Sequence, residues 1–200
     1  MIISLRCKIC RDGLTGNIYE HLFFCNNCKK IYILREEKLE EIVSYIIDNE
    51  MDYNVLFPMF LFKCRVEYIN FATARQKDVA IKCGNTIEVA VRAFSMIDPV
   101  YFGDIEIEIM QKINNSHIQL KRYNPEEKIF SMNINPEIGS RLSRYTFMKY
   151  FDRMTDITGM QYSFSIESSS ILFLRGKMED SKIILSDLKR EIPLSAIITL

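Results

Sequence analysis

The sequence predicts an α+β protein. An N-terminal four-cysteine module spans residues 1–35, a linking amphipathic helix spans 36–50, and a mainly antiparallel β domain with one long helix spans 51–200. Three observations carry this. Four of the six cysteines sit near the N-terminus as two C-x-x-C pairs. Residues 36–50 repeat apolar side chains at helical spacing. Beyond residue 51 the apolar period becomes two, broken by one well-capped helical stretch near 136–157.

The pairs are Cys7/Cys10 and Cys25/Cys28. A C-x-x-C turn aims two sulfurs at one point, and two such turns close a tetrahedral site. Fourteen residues separate Cys10 from Cys25, enough for an outgoing strand, a turn at Gly16-Asn17 and the returning strand "IYEHLFFC". Gly13 suits a tight backbone after the first pair, and "CNNCKKIYIL" leaves the second turn as a strand. Residues 1–35 resemble the zinc-ribbon and rubredoxin-like knuckle group. The resemblance implies one zinc held by Cys7, Cys10, Cys25 and Cys28, with iron as the competing metal for the same thiolates. Arg11 and Lys29 stand where a glycine often follows the second cysteine of a knuckle. A thioredoxin-like role would need one C-x-x-C opening a helix, which two pairs flanking a hairpin do not provide. Four thiolates leave no position for water, so the expected site is structural rather than catalytic. His21 lies between the pairs and is expected on the hairpin surface.

In "EEKLEEIVSYIIDNE", Leu39, Ile42, Val43, Ile46 and Ile47 form one helical stripe, and Glu36 and Glu37 suit a first helical turn. Charge shifts at the same boundary. Residues 1–35 carry six basic against two acidic side chains, a net of +4, while 36–50 carry one against six, a net of −5. Arg6, Lys8, Arg11, Lys29 and Lys30 are therefore candidate nucleic-acid contacts. A metal held by four thiolates is itself about −2, so nearby cations offset it without any nucleic acid.

In the rest of the chain, "FLFKCRVEYINF" alternates as a strand, and "DVAIKC" and "TIEVAVRAF" flank Gly84-Asn85 as a hairpin. "GDIEIEIM" alternates Ile105, Ile107 and Ile109 with Glu106 and Glu108, with a helix as the other reading. "HIQLKRY" and "KIFSMNI" form another expected hairpin, as do "MQYSFSIE" and "ILFLRGKM" around the serine triplet 168–170. "SKIILS" and "SAIITL" are the expected final strands. Asn135 caps the helix near 136–157, Pro136 suits its first position, Gly159 ends it, and Phe147, Tyr150, Phe151 and Met154 form its core stripe. Cys64 and Cys83 fall within alternating patterns as small buried hydrophobes.

The composition, 48% hydrophobic and 26% charged with a formal net charge of zero, suits a folded domain and lacks the basic excess of a dedicated nucleic-acid binder. No secretory leader is expected, because Arg6 and Cys7 arrive too early for an apolar core, and no apolar run is long enough to cross a bilayer. A cytoplasmic protein is the expectation, and in a reducing compartment paired C-x-x-C motifs point to metal. No phosphate loop, dinucleotide loop or Ser-His-Asp set is present, and Glu106 with Glu108 suits a wet strand face better than catalysis. Leu142 and Tyr145 interrupt the polar side of the long helix and mark a candidate partner surface. The expected function is non-enzymatic: a zinc-binding interaction or assembly module, its partner another protein. The alternatives are nucleic-acid binding through the ribbon, and an enzyme whose site is dispersed along the chain.

Overall fold

A computed structural model describes residues 5–16, 21–96, 100–115, 117–123, 129–130 and 132–197. Three antiparallel strands open the chain: β1 (Leu22–Cys25), β2 (Lys30–Arg35) and β3 (Lys38–Glu41). Alternation along β1 and β2 splits this small sheet between two cores. Phe23, Cys25 and Tyr32 face the N-terminal cysteines together with Leu39. Leu22, Ile31 and Ile33 face the other way and join the main hydrophobic core.

The linking helix expected over 36–50 is not formed. Glu36 and Glu37 take positive φ, 43° and 64°, and make the two-residue turn of a hairpin in which Arg35 pairs with Lys38. After β3 comes β4 (Ser44–Ile47), which lies beside β8 (Gln161–Met178) in parallel. The five apolar residues that spaced like a helical stripe are divided among separate surroundings. Leu39 packs near the cysteines, Ile42 and Ile46 enter one core, Ile47 enters the other, and Val43 is exposed. Burial on both faces of a central strand imitates helical spacing, and tertiary pairing overrides local propensity.

The main sheet has seven strands. β8 and β5 (Val55–Asn70) are its spine, paired antiparallel from Val55 opposite Gly176 to Asn70 opposite Gln161. β6 (Thr86–Arg92) flanks β5, and on the far side of β8 the order runs through β4 to β7 (Leu120–Arg122) and through β9 (Lys182–Leu185) to β10 (Arg190–Pro193). The hairpin expected around the serine triplet is instead one continuous strand. Ser168, Ser169 and Ser170 pair with Lys63, Phe62 and Leu61, and a bulge at Glu167 absorbs the extra residue.

Among the described residues three α-helices cover the sheet: α1 (Ala74–Cys83), α2 (Val100–Asn114) and α3 (Pro136–Asp152). α1 replaces the first strand of the expected 78–94 hairpin. The Thr73 side chain accepts from Gln76 N–H while the Gln76 side chain accepts from the Thr73 N–H, a capping box, and Gly84 ends the helix at φ 71°. α2 settles the ambiguity of "GDIEIEIM" as helix. α3 begins as expected, with Asn135 capping Ile138 N–H and Pro136 in the first turn, but ends at Asp152, before Gly159. Gly139 lets α3 lie on the sheet, since a Cβ there would stand 2.5 Å from the Phe60 ring. Of "SAIITL", Ser195 and Ala196 belong to a 3-10 turn, Leu194–Ala196, and Ile197 bridges Met96, while 198–200 lie outside the described residues, as do Asn17 of the first expected turn and 124–128 between "HIQLKRY" and "KIFSMNI". Among the described residues, no helix is long and apolar enough to cross a membrane. The architecture is α+β with mainly antiparallel pairing.

Candidate metal centre

The two C-x-x-C loops fold alike. In the first, Ile9 N–H donates to Cys7 Sγ at 3.4 Å and Arg11 N–H donates to the Cys7 carbonyl at 3.0 Å. In the second, Cys28 N–H donates to Cys25 Sγ at 3.3 Å and Lys29 N–H donates to the Cys25 carbonyl at 2.8 Å. The residue after each second cysteine turns left-handed, Arg11 at φ 69° and Lys29 at φ 55°. These are the two positions where the sequence departs from the usual glycine. The geometry that favours glycine is kept by side chains that resist it. Asn27 Nδ2 donates to Asp12 Oδ2 at 2.9 Å, and Asn26 Nδ2 donates to Thr15 Oγ1 at 3.1 Å, tying one knuckle to the other.

All four sulfurs lie within 4.8 Å of one another, with Cys10 Sγ 3.5 Å from Cys25 Sγ. A tetrahedron with bonds of about 2.3 Å sets its sulfurs about 3.8 Å apart, so the cluster has the size of a four-thiolate cation site. Cys7 and Cys25 are buried, Cys10 and Cys28 half-buried, and all four are free thiols. Tyr32, fully buried, holds its hydroxyl 3.2 Å from Cys7 Sγ. Burial pushes the Cys7 thiol up, but hydrogen bonds from Tyr32 and from the backbone of Cys10 and Ile9 bring it down to about 6. At Cys10 a backbone contact with Asp12 lowers the value, but burial and the sulfurs of Cys28, Cys25 and Cys7 push it up to about 12. Cys28, lowered by Cys10 yet raised by burial and by Cys7 and Cys25, is also held up. One thiolate forms readily and its charge opposes the next, a conflict that a central cation removes. The four cysteines are therefore consistent with a metal-binding knuckle group.

His21 stands apart, half-buried beside Glu137, Asn135 and Leu34. Of the basic candidates, Arg6, Lys8 and Arg11 are exposed, Lys29 is exposed on its knuckle, and Lys30 pairs with Glu41 at 2.7 Å. The two helix candidates separate. Tyr145 is 55% exposed with Lys149 Nζ 5.0 Å above its ring, whereas Leu142 packs partly against the main core. Glu106 and Glu108 do not form an acidic pair on a strand. On α2, Glu106 is buried against Arg92 at 2.9 Å, and Glu108 takes Lys112 and Arg190. Cys64 is buried, its thiol pushed up to about 12 by burial, and Cys83 is half-buried.

Sequence reasoning missed a cleft of about 620 Å³ between the small sheet, the start of α3 and the middle of β8. Arg35 reaches across it to donate to Ser169 Oγ at 2.6 Å, and Phe62 and Ile166 line its floor. No single stretch signals it, because its walls come from residues more than a hundred positions apart. No protein-family model matches the chain, and no characterised protein or solved structure gives a significant match.

Proposed function

We propose that the N-terminal residues form a structural zinc ribbon, with Cys7, Cys10, Cys25 and Cys28 as its ligands, in a non-enzymatic protein that works by binding another protein. The observation that carries the metal reading is the convergence of four sulfurs at one centre, with no other ligand type joining them among the described residues. An all-thiolate tetrahedral set favours zinc, with iron the chemical competitor. Four protein ligands fill the coordination sphere, so the metal's work is to hold the two loops and β1–β3 as a platform. A net charge of zero supports a protein partner over a polyanion. The buried charged groups support a structural reading too, since Arg92–Glu106 and Arg175–Asp187 are core ion pairs.

Metal analysis of untagged protein, purified without added metal, tests the site. The expected result is one zinc per chain, with about four thiols becoming reactive only after chelation. Iron with visible thiolate absorption would redirect the reading to electron transfer. Metal-free protein with oxidised pairs would overturn it. The exposed Arg6, Lys8 and Arg11 keep nucleic-acid binding as the second reading. It requires affinity for single- or double-stranded probes that falls steeply with salt.

A further inference from the structure

The main sheet leaves one long edge open. β8 pairs with β5 from Gln161 to Gly176, but on its other side only residues 171–173 meet β4 and only 176–178 meet β9. Residues 161–167 have no strand on that side among the described residues. The direction of their backbone groups follows from the register. Phe164 stands opposite Val66, and Val66 N–H donates away from β8, to the Asn85 carbonyl at 2.8 Å. Val66 and Phe164 are thus a non-hydrogen-bonded pair, so the N–H and C=O of Phe164 point to the open edge. With a period of two, those of Tyr162 and Ile166 do the same.

Other edges in this protein are guarded. On β6, Glu88 N–H donates to Asn114 Oδ1 at 2.9 Å, Asn114 Nδ2 donates back to the Glu88 carbonyl at 2.8 Å, and Arg92 N–H donates to Glu106 Oε1 at 3.0 Å. β10 ends in a proline, and β7 is three residues long with two cations. Short strands, prolines, cations and covering helices are the usual means of blocking an edge. Among the described residues the segment "QYSFSIE" has none of these, and the bulge at Glu167 falls at its very end. Its one charge, Glu167, is held by Arg65 at 2.6 Å on the neighbouring strand. Tyr162, Phe164 and Ile166 line its core-side face and remain half-buried, the first two against Phe147.

We propose that this edge pairs with the same edge of a second copy, antiparallel about a two-fold axis at Phe164, to join the two sheets. The segment is complementary to itself in that register. Phe164 meets its counterpart, Tyr162 meets Ile166, Ser163 meets Ser165, and Gln161 meets Glu167. Apolar side chains stay on one face, and no like charges stand opposite each other. The register carries Met160 and Gly159 of each copy past Ser168 and Ser169 of the other, toward the cleft of about 620 Å³ that those serines line. A net charge of zero places no field between the copies. The pairing is independent of the metal reading, and its failure would leave that reading untouched.

Sedimentation equilibrium of the full chain as purified, from micromolar to submillimolar concentration, tests it. The expected result is a reversible species of twice the 23.5 kDa chain mass. The double substitution Ser163→Lys with Ser165→Lys changes two exposed side chains and sets lysine opposite lysine twice. It is expected to raise the dissociation constant about tenfold or more, with recovery in high salt. Glu179→Lys with Asp180→Lys, at the far turn of β8, leaves association unchanged. A mixture of Ser163→Cys and Ser165→Cys chains forms interchain disulfides faster than either alone, which reports the register. A monomer at every concentration, or a dimer indifferent to the lysine pair, overturns the proposal.

Discussion

Arg11 and Lys29 offer the sharpest test of the knuckle geometry. Both follow the second cysteine of a C-x-x-C loop, both lie at positive φ, and both donate their N–H back to the first cysteine's carbonyl. A left-handed residue with a Cβ costs about 1–2 kcal/mol. Glycine removes that cost but loses about 0.5–1 kcal/mol through greater freedom in the unfolded chain. The net gain is about 0.5–1 kcal/mol per site, and because the loop orders with its metal, it emerges as metal affinity. One site is then worth about two- to fivefold in the dissociation constant, and both together about five- to thirtyfold. Charge must be separated from backbone, because either substitution also removes a cation from beside an anionic centre. Arg11→Gln and Lys29→Gln lose the same charge and keep the strain. Competition with a chromogenic chelator measures all four variants. Each glycine variant is expected to bind metal more tightly than its glutamine counterpart by the stated factor. Equal affinities, with folding intact, would refute the link between φ and ligand geometry.

Tyr32→Phe removes the hydroxyl that stands 3.2 Å from Cys7 Sγ and leaves the ring in place. Loss of such an outer contact is expected to weaken metal binding about tenfold or more, with little change in the circular dichroism spectrum of the loaded protein. Glu106→Gln leaves the Arg92 cation uncompensated in the core and is expected to cost about 3 kcal/mol by urea unfolding, whereas Arg92→Met with Glu106→Met together regains most of that. Burial raises the carboxyls of Glu106 and Asp187 although Arg92 and Arg175 oppose it. A folded-state value above the unfolded one means the folded chain binds the extra proton in between. These two groups therefore remove stability as pH rises from the unfolded carboxylate range through the folded values, and restore it as pH falls. Replacing Glu106 is expected to reduce that slope, which unfolding free energies across mildly acidic pH would measure.

The cysteine cluster was legible because its chemistry is local. A C-x-x-C spacing fixes two ligands by itself, and "CNNCKKIYIL" needs only its own turn to become a strand. α3 was legible at its start for the same reason, since Asn135 and Pro136 act on the adjacent backbone. What failed depends on distant pairing. Residues 44–47 look helical because β4 is buried on both faces between β7 and β8, whose residues lie far along the chain. The serine triplet looks like a turn because its partners on β5, Leu61 to Lys63, are about a hundred positions away. α1 was hidden for a different reason. Its T-x-x-Q capping box at Thr73 and Gln76 is a local signal, and the alternation of Val79, Ile81 and Cys83 outweighed it wrongly.

The small sheet shows how the local and the distant are joined. Along β2, Tyr32 reaches the Cys7 sulfur while Ile31 and Ile33 enter the main core. Along β1, Cys25 supplies a candidate ligand and Leu22 enters that same core. A strand cannot rotate one face without the other, so the register that sets Tyr32 against the cluster also seats the isoleucines. Metal loading and packing of the main core are therefore expected to be coupled through these two short strands. The coupling has a direction that can be read. Truncating Ile31 to Ala, on the face away from the sulfurs, is expected to weaken metal binding along with stability. An unchanged metal affinity in a destabilised Ile31→Ala protein would show that the cysteine loops hold themselves, and that the sheet carries no message between the two cores.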